Sequence, residues 1–137
     1  MAREDKYTCI FGGGAVRGFA YIGAIKAMQE LRLKYDTVAG SSAGAIVATL
    51  LAVGYSYDEI KEVLMKINFD LFRDIHFGLN SGFALSKGEV FTKWMRKNIE
   101  KKVYGENYVK GKNKPVTFAD LDTDLLVYTT NLVKFDC

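Results

Sequence analysis

Five residues, Gly40-Ser41-Ser42-Ala43-Gly44, set a serine midway between two glycines. They join a short β-prone run, Thr37 to Gly40, to an apolar helical run, Ala43 to Val53. A Gly-x-Ser-x-Gly turn between strand and helix is the nucleophile-elbow pattern, which holds a serine on a strained turn with its hydroxyl outward. So sharp a turn brings the two backbones close, and a Cβ at Gly40 or Gly44 would clash. The helix N-terminus behind Ser42 favours the negative charge that a tetrahedral acyl intermediate develops. Ser42 is the candidate nucleophile, and Gly40 and Gly44 shape its elbow.

A second stretch, Gly12-Gly13-Gly14-Ala15-Val16-Arg17-Gly18, follows the apolar run Tyr7 to Phe11. A dinucleotide site would need G-x-G-x-x-G and an acidic residue ending the second strand. Arg17 stands where the third glycine should fall, Asp36 precedes the second strand, and that strand ends in the elbow. The pattern therefore disfavours nucleotide binding. The other common use is an oxyanion hole, in which successive backbone N–H groups converge on one spot with no Cβ in the way. Arg17 would then stiffen the loop or add positive potential. Taken alone, each stretch also reads as a plain tight turn.

The elements that must position these turns are legible in order. With 137 residues, 49% hydrophobic content, one proline and a net charge of +3, the chain fits one globular domain and does not suggest a nucleic-acid binder. Cys9 and Cys137 make neither a disulfide framework nor a metal cluster, and Cys9 reads as a small buried residue. The first residues lack a signal-peptide pattern, and Ala43 to Val53 is too short to span a bilayer, so the expectation is a soluble cytoplasmic protein. Tyr7 to Phe11 suits a strand buried on both faces of a parallel sheet. Phe19, Ile22, Ile25, Ala27, Met28 and Leu31 recur at helical spacing, with Gly23 and Ala24 leaving room for close packing. Strand, glycine turn, helix, strand, elbow and helix predict a mostly parallel sheet with helices on both faces. Both turns then lie at the carboxyl ends of strands, where open α/β sheets bind ligands.

Beyond the elbow, Ser56 with Glu59 and Ser86 with Glu89 are capping boxes that open two further helices. Ile60, Val63, Leu64 and Ile67 are the apolar face of the first; Val90, Phe91, Trp94, Met95 and Ile99 are the buried stripe of the second. Phe69 to Phe83 is irregular and aromatic, a loop on the core or a wall for an acyl chain. Lys93, Arg96, Lys97, Lys101, Lys102, Lys110, Lys112 and Lys114 form a basic tract, read first as a solvated surface and second as an attraction for anionic lipid headgroups. Pro115 to Leu121 is a short turn, and Leu125 to Leu132 is a third β-prone run.

Together, Gly13-Gly14-x-x-Arg17-Gly18, a helix through Phe19 to Met28, and Val38-Ala39-Gly40-Ser41-Ser42-Ala43-Gly44-Ala45 resemble the patatin-like phospholipase family. The resemblance is strong over roughly the first fifty residues. It implies a three-layer αβα fold with a mostly parallel central sheet, of which residues 1–137 would be the N-terminal portion. It also implies Ser42 as nucleophile, the amides of Gly13, Gly14 and Ala15 as oxyanion hole, with Arg17 and Gly18 completing that motif, and a phospholipid or other lipid ester as substrate. No metal or organic cofactor is implied, and any membrane contact would be peripheral. Ala15 stands where many members carry a third glycine. The family pairs its serine with an aspartate in a later Asp-Gly turn, and no aspartate here precedes glycine; Asp120, Asp122 and Asp124 look like loop residues. A Ser-His-Asp triad would need His76, the only histidine, with Asp70 or Asp74, but it follows the elbow too soon. Another serine acyl enzyme, such as a transacylase or esterase, and a non-catalytic lipid-binding module remain as alternatives.

Overall fold

The computed structural model describes residues 6–67 and 89–131. The chain forms two compact units, one of Met1–Glu62 with Thr117–Cys137 and the other of Val63–Val116.

The first unit holds strand β1 (Tyr7–Phe11), a 3-10 turn (Ala15–Phe19), helix α1 (Ala20–Glu30), strand β2 (Tyr35–Ser41), helix α2 (Ala43–Ala52), a 3-10 turn (Phe118–Asp120) and strand β3 (Asp124–Tyr128). Helix α3 (Tyr57–Met65) crosses the boundary between the units. The sheet order is β1-β2-β3 and both pairings are parallel, so the α/β class and the parallel sheet are as expected. The register sets Cys9, Val38 and Leu125 side by side, and Phe11, Gly40 and Val127 likewise. Both glycine-bearing turns therefore leave the sheet at the same, carboxyl, end.

Neighbouring side chains on a strand point to opposite faces. Val38 and Ala39 are both buried, so β2 is covered on both sides, as a central parallel strand should be. Helix α2 lies along β2 and reaches both β1 and β3. Its nearly continuous apolar sequence leaves Ile46, Val47, Ala48, Leu50, Leu51 and Ala52 buried. Each large aliphatic side chain so enclosed stabilises by about 1.5–3 kcal/mol, which anchors the elbow from behind.

Three expectations are corrected in this unit. β1 is not buried on both faces: Phe11 is buried, but Ile10, on the opposite face, is 76% exposed, because no described residue covers that face there. Cys9 is half-buried, and that burial pushes its thiol up. Gly23 does not serve close packing, since a Cβ built there meets nothing within 4 Å, and Ala24 is exposed too. The apolar stripe of α1 is narrow, with Ile25 buried and Leu31 70% exposed.

In the second unit, α4 (Glu89–Tyr104) carries Phe91, Trp94, Met95 and Ile99 half-buried, while Val90, expected in the stripe, is 46% exposed in the first turn. Glu100 is buried instead, with Arg96 Nε 3.8 Å from its carboxylate one turn back. Lys93, Arg96, Lys97 and Lys101 are exposed. Beyond α4, the Asn113 side chain accepts from the Val109 N–H and donates to the Asn107 carbonyl, and Tyr104 Oη donates to the Lys114 carbonyl at 2.9 Å. The loop is solvated as expected, yet locally tied. Ser86, the aromatic run Phe69 to Phe83, and His76 with Asp70 and Asp74 lie outside the described residues. Among the described residues no helix is long and apolar enough to cross a membrane.

Candidate active site

The elbow is built where β2 ends. Ser42 has φ 52° and ψ −125°, a backbone conformation that L-residues rarely adopt. Such conformations cost about 1–3 kcal/mol and persist only where surrounding packing holds them. Here two close backbone approaches supply the hold. A Cβ at Gly40 would run into the Gly44 carbonyl and the Ala45 nitrogen. A Cβ at Gly44 would run into the carbonyls of Phe11 and Gly12. Strand, elbow and helix thus touch through main chain alone, and the first turn of α2 rests on the end of β1.

Ser42 occupies the N-cap position of α2, yet its side chain makes no capping bond. Among the described residues its hydroxyl has no hydrogen-bond partner, and the residue is exposed. The positive end of a ten-residue helix stands directly behind it. No acidic side chain occupies the first turn of α2 to cancel that potential.

The glycine turn wraps the same spot. A Cβ at Gly13 would lie 3.4 Å from Ser42 Cβ and 3.7 Å from Ser41 Oγ, so Gly13 flanks the serine and its lack of a side chain keeps the approach open. Gly18 is buried against Ala43, whose Cβ would be 2.9 Å from an added methyl. Gly14 ends the turn: its carbonyl accepts from the Arg17 N–H at 2.9 Å and starts the 3-10 turn. Among the described residues no hydrogen bond takes up the N–H of Gly13, Gly14 or Ala15. Ala15 has φ 45°, where glycine would be at ease, so the alanine at that position carries strain. Arg17 is exposed at the last turn of the 3-10 segment.

One contributor escaped the sequence reading. Tyr21 donates from Oη to the Gly12 carbonyl at 2.8 Å and packs edge-on against Phe11, with ring centroids 5.2 Å apart. No local pattern announces a side chain that reaches nine positions back to a main-chain oxygen.

The expected site residues Gly13, Gly14, Ala15, Arg17, Gly18, Gly40, Ser42 and Gly44 are thus gathered at the carboxyl end of β1 and β2. The described aspartates are elsewhere. Asp36 and Asp124 stand near or at the starts of β2 and β3, and Asp124 pairs with Thr37 while Tyr128 pairs with Ser41. Four residues of strand put Asp124 about 13 Å from the elbow end. Asp120 caps the 3-10 turn before β3: its carboxylate accepts from Thr117 N and Thr117 Oγ1, both at 2.7 Å. Those two bonds hold its carboxyl below the usual range, and it is exposed. Asp122 is exposed in the bend before β3. Asp58 follows α2, whose ten residues carry the chain about 15 Å from the elbow. Among the described residues no group of three His, Cys, Asp or Glu could hold a metal ion.

The family model for patatin-like phospholipases matches residues 9–135, from within β1 to past β3. The chain belongs to the patatin-like phospholipase family. This patatin-like chain is 34% identical over 126 residues to an uncharacterized protein of Acanthamoeba polyphaga mimivirus, covering 88% of the chain and 40% of that protein. It is 31% identical over 120 residues to a probable lipid hydrolase of Invertebrate iridescent virus 6, covering 85% of the chain and again 40% of the relative. Over 43 residues, 31% of the chain, it is 49% identical to a lysophospholipase of Chaetomium globosum, of which those residues are 3%. The patatin-like chain therefore spans 40% of the length of either viral relative.

Proposed function

We propose that this protein is a serine-dependent lipid acyl hydrolase of the phospholipase A or lysophospholipase kind, with Ser42 as its nucleophile. The observation that carries the reading is the strained elbow: a serine at positive φ, uncapped, exposed, and flanked by Gly13. Strain kept at such a position is repaid by function rather than by stability. In the mechanism, Ser42 Oγ attacks the ester carbonyl as its proton passes to a carboxylate base. The carbonyl oxygen gains the negative charge, and the N–H groups of Gly13, Gly14 and Ala15 with the N-terminus of α2 receive it. The tetrahedral intermediate collapses, the alcohol leaves with a proton, and water releases the acyl group from the serine by the reverse steps. Arg17 adds positive potential at the rim of the same turn, and Gly18 lets that turn close onto Ala43.

The base is an aspartate outside the described residues, because those described lie away from the carboxyl end of the sheet. We assign residues 1–137 to the N-terminal portion of a patatin-like domain, with the dyad's acid supplied by chain beyond it, because no aspartate of these residues precedes a glycine as the family's does; the 40% coverage of the viral relatives supports this. The substrate class is a phospholipid or related lipid ester. The exposed Lys93, Arg96, Lys97 and Lys101 of α4 favour a peripheral contact with anionic headgroups, at about 1 kcal/mol per basic residue near the surface. A cytoplasmic location is proposed with it.

The test is labelling of the full-length protein with a serine-directed fluorophosphonate. Labelling that disappears in Ser42→Ala, together with release of fatty acid from phospholipid vesicles, is the expected result. A folded full-length protein that takes up no probe would overturn the nucleophile and leave a lipid-binding module.

A further inference from the structure

Tyr21 sits in the first turn of α1 and grips the two residues that lead β1 into the glycine turn. Its ring meets Phe11 at 88°, and its hydroxyl donates to the Gly12 carbonyl at 2.8 Å. The Gly12 carbonyl and the Gly13 N–H belong to one peptide unit, which is planar and trans, so they point in opposite directions on a single rigid plate. Fixing the carbonyl toward Tyr21 fixes the Gly13 N–H away from it. Gly13 is also the residue that flanks Ser42. Three successive glycines give this plate little conformational preference of its own, so something outside the turn must orient it. Among the described residues the Tyr21 phenol is the side chain that holds the Gly12 carbonyl.

We infer that Tyr21 is a positioning residue: through the Gly12 carbonyl it aims the Gly13 amide at the oxygen that becomes charged on Ser42 acylation. It touches no reacting atom. The inference rests on the proposed oxyanion role of the glycine turn and deepens it, because it turns a passive loop into one set by a single hydroxyl. Were Tyr21 only a packing residue, the ring against Phe11 would suffice and the hydroxyl would be dispensable.

Tyr21→Phe separates the two, since it keeps the ring and removes the donor. In the full-length protein, fluorophosphonate labelling of Ser42 places a phosphoryl oxygen where the acyl oxyanion would form. The second-order labelling rate of Tyr21→Phe is expected to fall about tenfold, short of the 10²–10³-fold that follows deletion of an oxyanion donor. With a lipid ester, kcat falls and KM stays, because the amide matters in the transition state and not in binding. Amide hydrogen exchange at Gly12 to Gly14, compared at equal distance from the unfolding midpoint, is expected to quicken at the same time. Wild-type labelling and exchange in Tyr21→Phe would overturn the inference. If the wild-type protein is not labelled at all, the nucleophile reading fails, and the exchange measurement still decides whether Tyr21 orders the turn.

Discussion

Replacing Gly44 by alanine adds one methyl at the point where α2 rests on the end of β1. The atoms it would meet are the carbonyl carbon and oxygen of Phe11 and the carbonyl oxygen of Gly12, all main chain. Overpacking against side chains costs about 1–3 kcal/mol because rotamers can shift. Backbone in a paired strand cannot move aside so easily, and the cost is placed at the top of that range, about 3 kcal/mol. The control is Gly23→Ala. It makes the same chemical change in the interior of α1, where the new Cβ meets nothing within 4 Å, and it should stabilise by about 0.5–1 kcal/mol through helix propensity. The two variants should thus differ by about 4 kcal/mol. Urea unfolding of both, with the slope unchanged so that midpoints report stability, measures the gap. A Gly44→Ala midpoint equal to that of Gly23→Ala would refute the account of the elbow as a contact of bare backbones.

Ser42→Gly should raise stability by about 1 kcal/mol, since glycine adopts φ 52° and ψ −125° without penalty, while abolishing any serine chemistry; a loss of stability on thermal unfolding would contradict the strain assigned to Ser42. The Ser56–Glu59 capping box, with Ser56 N donating to Glu59 at 2.7 Å, predicts that Ser56→Ala costs about 1 kcal/mol by the same denaturant measurement. The Asp120 carboxyl is depressed by the Thr117 N–H and hydroxyl, so its support for the 3-10 turn is full above 3.8, the carboxyl's ordinary value, and is lost as the pH falls through the folded value below it. The Thr117 amide resonance should therefore move during acid titration below pH 3.8, and should not in Asp120→Asn.

What the sequence makes legible is what local sterics and capping decide. The elbow, the helix behind it and the Ser56 box are each written in a few adjacent residues, and each stands where the spacing put it. The Thr117–Asp120 box carries a similar local signal, a threonine three positions before an acid, yet Pro115 to Leu121 reads only as a turn without it. Features set by distant partners are harder. Ile10 belongs to an apolar run, and nothing in that run says that its face of β1 is left uncovered by the described residues. Gly23 and Ala24 suggest a close contact that would require another element, and they face open space. Glu100 looks like one more charge on a basic helix, but it is buried. The Tyr21 bond to Gly12 depends on α1 folding back over the end of β1, which no short window encodes.

The close approach of Gly44 to the end of β1 also bears on the order of events in folding. It joins main-chain atoms roughly thirty positions apart in the chain, across a parallel pairing that no hairpin can nucleate. Until β1 has docked, one of the two approaches that hold Ser42 is missing, and the chain is freer to relax that residue into an ordinary conformation. The elbow is thus expected to be completed late, after β1, β2 and α2 have assembled. A Gly44→Ala substitution should then act mainly on the unfolding rate and leave the folding rate nearly as it was. Stopped-flow kinetics on the variant measure this, and a slowed folding limb would show instead that the elbow forms in the nucleus.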